Sequence, residues 1–395
     1  MIYEYPDTVL KFSCIAGKCP DTCCAGWEVD LDRETEEYYR YVEGPFGKRL
    51  RRAMKTETEE NADGEEVRTC FFPLTDQNRC PFLNDDNLCE IITHLGPEAI
   101  SVVCDEYPRY FEQIGNYQQM DMSLSCMEFG RIFFSSGPVQ LQCMGDDTDR
   151  GWGNTDRERL RGILTIRDDA VRYLQDEDHK LSWREKMNDI ERQIGIVPTQ
   201  ESRRSLMRRM ESLEVIDHRW TEMLELVRTT GIEAGVAGTA FSGEACDART
   251  TFSSEACGAG ITVSGEAGDA GTTFSSKTGG AGITVSGEAD NIAAQLRAEF
   301  ERLHDDCLPG WFTKLCVYFV FRYTLDIYSD GDSAGVFRYI DRSLRFLWMM
   351  CLAEWNAAGR KLTIEDMIDL AHLYSRQVEH CEENVAILKE DGEDG

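Results

Sequence analysis

No apolar run in this 395-residue sequence approaches the ~20 residues that a bilayer-spanning helix needs; "LCVYFVF" at 315–321 stops far short. No membrane segment is therefore expected. Positive charge is scarce: 42 Lys and Arg face 72 Asp and Glu, a formal net charge of −30. That balance excludes a nucleic-acid backbone as the natural partner and otherwise reports solubility. The opening "MIYEYPDTVLKFSC" has neither a basic n-region nor an apolar h-region, so a cytoplasmic location is expected. In that reducing compartment dense cysteine points to metal or catalysis rather than to disulfides. Neither a GxGxxG turn nor a P-loop is present, nor an acidic-led glycine motif of the Rossmann-like methyltransferase kind. The six histidines (94, 179, 218, 304, 372 and 380) fall at no metal-ligand spacing, and "HCEEN" at 380 reads as a helix-surface run.

Cysteine is what the chain has in excess. Ten of its sixteen cysteines lie in the first 143 residues, and "CIAGKCPDTCCAGW" (14–27) holds four of them. Adjacent cysteines bridge to each other only through a strained ring, so a disulfide reading sends Cys23 and Cys24 to different partners. A metal reading needs only that soft thiolates converge on one ion or cluster. The candidate ligands are Cys14, Cys19, Cys23 and Cys24, then Cys80 and Cys89 in "CPFLNDDNLCE", Cys104 in "VVCDEYPR" and Cys126 in "LSCMEF". These eight positions suit two sites of four, or one site plus structural thiols. Cys70 and Cys143 have no clear pairing and read as packed residues. The CxxxCxxC signature of radical adenosylmethionine enzymes is broken, because Gly26 stands where its third cysteine should be.

The pattern around these cysteines is one of short strands and short helices. "WEVDL" (27–31) alternates as a strand does, and Asp32 is placed to cap a helix "RETEEYYRYVE" that Gly44 and Pro45 stop. "ETEENADGEE" contains a turn at Asp63-Gly64 and predicts a hairpin leading into "VRTCFFPL". "LCEIITHLG" predicts a helix ended by Gly96, with Pro97 opening the next, "PEAISVVC". "RYFEQIGNYQQMDMS" predicts a second hairpin, followed by a helix "CMEFGRIFFS" capped by Ser123 or Ser125. Cys89 and Cys126 then sit at helix amino termini, where the dipole favours the thiolate.

From 156 to 230, and again in the carboxy-terminal part, apolar residues recur at spacings of three and four. Between these blocks "GEA" recurs at 243, 265 and 287, "TTFSS" at 250 and 272, and "AGITVSGEA" at 259 and 281, a period of 22. Too few copies are present for a solenoid, so a flexible duplicated insertion is expected. Its Cys246 and Cys257 correspond across the period to Gly268 and Gly279, which argues against a ligand role. The expected fold is mainly α with a small cysteine-rich α+β metal-binding domain at the amino end. Its divisions are 1–145 (cysteine domain), 146–232 (helical), 233–290 (repeat insertion) and 291–395 (helical).

"CxxxCCAGW", "CPFLNDDNLCEI", "LGPEAIS", "CDEYPR" and "LSC" together resemble the flagellin lysine N-methylase family, whose front half is similar to a wider group of zinc- or iron-chelating proteins. The likeness is strongest over residues 12–130 and continues through "VYFVFRYTLDIYSDGD" and "YSRQVEHCEEN". It implies S-adenosylmethionine-dependent methylation of flagellin lysines, with an iron-sulfur cluster, of the 4Fe-4S type, held by the cysteine motif. Under that reading Tyr107 is a candidate for the proton chemistry at the lysine, and Arg109 for clamping the adenosylmethionine carboxylate through its fork of donors. Both residues also fit a purely structural turn. The competing functions are a non-catalytic zinc- or iron-binding module and an iron-sulfur electron carrier or redox sensor.

Overall fold

In the computed structural model, residues 1–60, 64, 66–145, 151–177, 181–198, 201–230, 261–263, 273–276 and 283–392 are described. The chain divides into two compact units, Met1–Thr155 and Asp156–Gly395. The first contains, in order, β1 (Ile2–Pro6), β2 (Val29–Asp30), α1 (Arg33–Tyr41), α2 (Gly44–Ala53), β3 (Lys55–Glu60), β4 (Glu66–Phe72), α3 (Glu90–Leu95), α4 (Val102–Glu106), β5 (Arg109–Ile114), β6 (Tyr117–Met122), α5 (Met127–Ser135) and β7 (Leu141–Gly145). A four-stranded sheet runs β5-β6-β1-β7, with β1 parallel to β6, and a three-stranded sheet runs β2-β4-β3.

Local signals account for most of these boundaries. Asp32 caps α1, its Oδ1 accepting the Thr35 N–H at 2.9 Å. The two expected hairpins form, β3 against β4 and β5 against β6. Four expectations are corrected. "WEVDL" pairs over only two residues, Val29 with Phe72 and Asp30 with Phe71. Gly44 and Pro45 do not merely stop α1: proline's fixed φ and missing donor suit a first helical turn, and α2 starts there. "PEAISVVC" breaks into a 3-10 turn at Pro97–Ala99 and the separate α4, since Ile100 and Ser101 are extended. The seryl caps proposed for α5 are not used; Cys126 itself occupies the N-cap.

The β2-β4-β3 sheet, α1, α2 and the 80–100 segment close over one apolar cluster of Tyr39, Leu50, Phe72, Phe82 and Ile91. Phe72 and Phe82 meet at a centroid distance of 4.8 Å, and the Tyr39 hydroxyl donates to Ala99 O at 2.6 Å. Each such fully buried side chain contributes about 1.5–3 kcal/mol by removal from water. At the rim of the cluster, buried Glu36 accepts both terminal nitrogens of Arg68, at 2.9 and 2.6 Å, and also pairs with Arg40. The Arg68 hydrogen bonds, reinforced by Arg40 and opposed by burial, hold its carboxyl down at about 2. A depressed folded-state pKa stabilises at pH values above the unfolded pKa and is lost as pH falls through the folded one. Glu36→Gln is therefore expected to cost about 1–2 kcal/mol at pH 7 and little at pH 2, read by urea melts across that range.

The second unit starts with α6 (Arg157–Leu174), α7 (Trp183–Gln193), α8 (Arg203–Glu211) and α9 (Arg219–Thr229), the first three capped by Asp156, Ser182 and Ser202. Most of the repeat segment lies outside the described residues. Its described pieces are β8 (Ile261–Val263), β9 (Thr273–Ser276) and β10 (Ile283–Thr284), with "TFSS" between the "IT" pieces of two successive copies. Then come α10 (Val285–Leu303), α11 (Leu308–Tyr323), α12 (Asp326–Asp330), α13 (Ser333–Ala357), α14 (Ile364–Tyr374), a π-helical turn at Ser375–Glu379, and α15 (Glu382–Lys389). The helix expected to begin at Asn291 begins earlier, inside the last repeat copy.

The core of this unit is α13. It is apolar around most of its circumference, and Phe337, Tyr339, Leu344, Phe346, Met349 and Leu352 are all fully buried. Helices α9, α11, α14 and α15 pack against it. Despite this apolar centre, no described helix is long and apolar enough to cross a membrane. The chain is thus mainly α, with its small sheets concentrated in the first unit.

Candidate metal centre and a buried carboxylate

The cysteine loops are held by backbone geometry. Cys14 and Cys19 flank a 3-10 turn at Ala16–Lys18, where the Ala16 N–H donates to Cys14 Sγ at 3.4 Å. A side chain at Gly17 would stand 2.7 Å from the Asp86 carbonyl oxygen, so glycine lets this turn lie against the 84–88 loop. Position 26 has φ +88°, which disfavours any residue with a Cβ and explains why a third motif cysteine is missing there. The Gly26 N–H donates to Asn78 O, and the Cys80 N–H donates to Cys24 O at 2.8 Å. Leu83 then bridges to Cys89, while the Asn84 side chain accepts the Asp86 and Leu88 N–H groups. Arg79 closes the same loop through Asn84 O and Asn87 Oδ1. Cys80 and Cys89 are thereby folded back beside Cys24.

Helix starts receive two further thiols, as the sequence suggests. Cys89 N-caps α3 and Cys126 N-caps α5. Burial raises the Cys89 thiol pKa against the pull of the Ile92 and Ile91 N–H groups, and lifts Cys126 to about 11 against those of Phe129 and Glu128. Burial likewise pushes Cys80 to about 12 and Cys104 to about 11. Cys24 moves the other way, to about 7, because it accepts a hydrogen bond from Cys23, whose own proton is held correspondingly tightly. The described cysteines are all free thiols. Among the described residues no three His, Cys, Asp or Glu side chains converge as a ready-made cage. The donor set nonetheless fits a soft cation: burial raises Cys80, Cys89, Cys104 and Cys126, and a bound metal would supply the positive charge that favours their thiolates.

Tyr107 sits at this centre. Its hydroxyl donates to Ser125 O at 2.7 Å, one residue before Cys126, and its ring meets Trp27 edge-on at 5.8 Å. Trp27 in turn donates from Nε1 to Cys23 O at 2.8 Å. Arg109 starts β5; its guanidinium lies 5.7 Å from the Phe12 ring and reaches Asp105 O at 3.5 Å. Cys70 is buried on β4, whereas Cys143 is exposed on β7. Cys246 and Cys257 lie outside the described residues.

The second unit holds a polar cluster that sequence reasoning passed over. Glu379, with its side chain 1% exposed, pairs with Arg322 at 3.3 Å and accepts the hydroxyls of Tyr318 at 2.7 Å and Tyr323 at 2.9 Å. The Arg322 guanidinium lies 5.6 Å from the Tyr323 ring centroid, and the Tyr323 ring lies 4.6 Å from that of Tyr339. Next to Glu379, His380 keeps solvent-exposed surface although protein atoms crowd it. That crowding, then the charges of Arg322 and Arg376, hold its imidazole pKa down at about 3. "HCEEN" is thus no simple surface run: Cys381 and Asn384 are buried, and the Asn384 amide donates to Glu214 O and Gln377 O. The available signal lay in "VYFVFRY" and "YSRQVEH", two separated stretches that the fold brings to one carboxylate.

The fold and its cysteine loops define a mainly α protein with a thiol-rich front unit. Residues 274–394, which contain the Glu379 cluster, match the family described as the FliB lysine N-methylase C-terminal domain. The chain is 30% identical over 124 residues to the flagellar biosynthetic protein FliU of Salmonella muenchen, covering 31% of this chain and 71% of the relative. It is also 30% identical to the lysine-N-methylases of Salmonella typhimurium, over 124 residues, and Salmonella choleraesuis, over 131 residues. Those two matches cover 31% of this chain but only 30% of either relative. No solved structure matches. The chain belongs to the flagellin lysine N-methylase family, a family of protein-lysine N-methyltransferases.

Proposed function

We propose that this protein methylates lysine side chains of flagellin, taking the methyl group from S-adenosylmethionine, with an iron-sulfur cluster bound by the front-unit thiols. The observation that carries the reading is the match of 274–394 to the FliB methylase domain, together with the relatives named lysine-N-methylases and the flagellar name of FliU.

The chemistry sets the demands. A free lysine ammonium has a pKa near ~10.4, so roughly one side chain in 2,500 is neutral at pH 7. The site must draw off that proton before the nitrogen displaces the methyl group from sulfur, leaving S-adenosylhomocysteine and methyllysine. The thiolates for it, about four to a 4Fe-4S cluster, would come from among Cys14, Cys19, Cys23, Cys24, Cys80, Cys89, Cys104 and Cys126. When bound, it supplies iron able to take the amino and carboxylate groups of adenosylmethionine. Tyr107 and Trp27 offer an aromatic edge beside Cys23, and a ring face near a cation is worth about 0.5–2 kcal/mol. With its hydroxyl committed to Ser125 O, Tyr107 would act through its ring, and Arg109 at the start of β5 would serve as the carboxylate clamp.

Flagellin isolated from cells that carry the active gene is expected to show lysine-containing peptides heavier by one methyl mass. Cells with the gene deleted are expected to lose that shift. Identical peptide masses in both would remove flagellin as the substrate.

A further inference from the structure

β5 ends the sheet ordered β5-β6-β1-β7, and among the described residues no strand pairs with its outer side. The register fixes which backbone groups that side offers. The Ser123 N–H donates to Pro108 O at 2.8 Å, so these two residues form a hydrogen-bonded pair, and in an antiparallel ladder such pairs alternate. Further along the register Tyr110–Asp121, Glu112–Gln119 and Ile114–Tyr117 are therefore turned towards each other, and the N–H and C=O groups of Arg109, Phe111 and Gln113 point outward. Proteins ordinarily guard such an edge with charged side chains or proline. β3, an edge of the β2-β4-β3 sheet, is guarded by Lys55, Glu57, Glu59 and Glu60. β5 is not: beyond Arg109 it carries one charge, Glu112, while Tyr110, Phe111 and Gln113 are exposed, as are Val102 and Val103 on α4 before it.

Charge and position say what pairs there. Residues 97–130 carry six carboxylates and one basic side chain, Arg109, and Asp105 and Glu106 are both exposed just ahead of β5. A lysine-bearing segment is attracted to such a surface and an acidic one is repelled. The outward-facing row starts at Arg109, two residues from Tyr107, whose ring meets that of Trp27 beside Cys23. β7, the opposite edge of the same sheet, lies three strands away, about 14 Å.

We propose that the outer edge of β5 receives an extended, lysine-bearing segment of the protein substrate as an added strand, through backbone bonds to Arg109, Phe111 and Gln113. Main-chain pairing supplies affinity, and alternate side chains of the segment rest towards Phe111 on one face and Tyr110 on the other. A lysine at the end of the added strand that passes Arg109 is carried towards the Tyr107–Trp27 rings, so the pairing register selects which lysine is presented. The proposal takes the identity of the substrate from the methylase reading, whereas the open edge stands without it.

The test uses the full-length protein and short overlapping peptides that cover the lysines of purified flagellin, with binding read by fluorescence anisotropy and by amide hydrogen exchange. At least one peptide is expected to bind and to slow exchange at Phe111 and Gln113. Two versions of that peptide are then made, each methylated on one alternate set of backbone nitrogens. One is expected to bind about tenfold more weakly, the effect of roughly one or two lost hydrogen bonds, and the other nearly as well as the parent peptide. Gln113→Pro removes an outward donor and leaves the bonds to β6, since proline is tolerated where the N–H faces out, and it should weaken binding to a similar degree. Unchanged exchange at Phe111 and Gln113 in the bound complex, or no difference between the two methylated peptides, overturns the strand pairing. Both readouts use the parent protein, so they decide the matter even where Gln113→Pro fails to fold. Methyl transfer to flagellin without peptide binding sinks the β5 edge alone. Binding at β5 without transfer sinks the methylase reading and keeps the edge as a docking surface; the absence of both overturns both.

Discussion

Glu379→Ala is expected to destabilise the helical unit by about 3–5 kcal/mol, the usual cost of removing one partner from a buried ion pair. The carboxylate is the meeting point of Arg322, Tyr318 and Tyr323, so its loss takes the paired charge from a guanidinium that is 3% exposed and an acceptor from two phenols. The π-helical turn at Ser375–Glu379 delivers the carboxylate to that point. Glu379→Gln keeps the shape and an acceptor for one hydroxyl, so it is expected to cost less than the alanine. Tyr323→Phe, which removes a single hydrogen bond to a charge, should cost about 1.5–3 kcal/mol. Urea midpoints followed by far-ultraviolet circular dichroism give the order; equal stability of Glu379→Ala and the parent would show that the cluster does not hold the helices together.

Trp220→Ala is expected to cost about 3–5 kcal/mol for a different reason, the cavity left by one of the largest side chains in the core. Trp220 on α9 is fully buried, stacks obliquely on Phe346 of α13 at 5.2 Å and meets Tyr374 of α14 edge-on at 6.3 Å. One residue therefore joins three helices. Trp220→Phe refills much of the volume and gives up only the Nε1 hydrogen bond to Met210 O, so it should recover more than half of the loss. Comparable destabilisation by phenylalanine and alanine would point to the hydrogen bond instead of packing.

These two sites mark where sequence reasoning stops. Caps and turns are local, and they were legible: Asp32, Gly96 and Gly115 stand where the elements begin or break, and Cys89 and Cys126 occupy the expected helix starts. Proline at 45 misled because the same residue that ends one helix suits the first turn of the next. The stretch 364–389 reads as one helix from its period, yet it breaks at 375–379. The break is set by a carboxylate whose partners lie 56 and 61 residues earlier, a constraint no local pattern carries. The same division runs through the cysteines. Spacing alone marks Cys14 to Cys24 and the Cys80–Cys89 pair as candidate ligand loops. How these loops pack is not local: the Val102 N–H of α4 donates to Asp32 Oδ2, the α1 cap, and Cys126 caps α5, ties that only the fold shows. Gly26, which looks in sequence like a failed cysteine motif, is there because the backbone turns left-handed at that point.

Whether this chain methylates flagellin lysines with adenosylmethionine, as proposed, is decided by label transfer. Metal-loaded protein is incubated anaerobically with purified flagellin and adenosylmethionine carrying a labelled methyl group, and flagellin hydrolysates are examined for methyllysine. Labelled methyllysine is expected in flagellin, and none when the protein is omitted. Flagellin without labelled lysine, after incubation with folded protein that retains its metal, would contradict it.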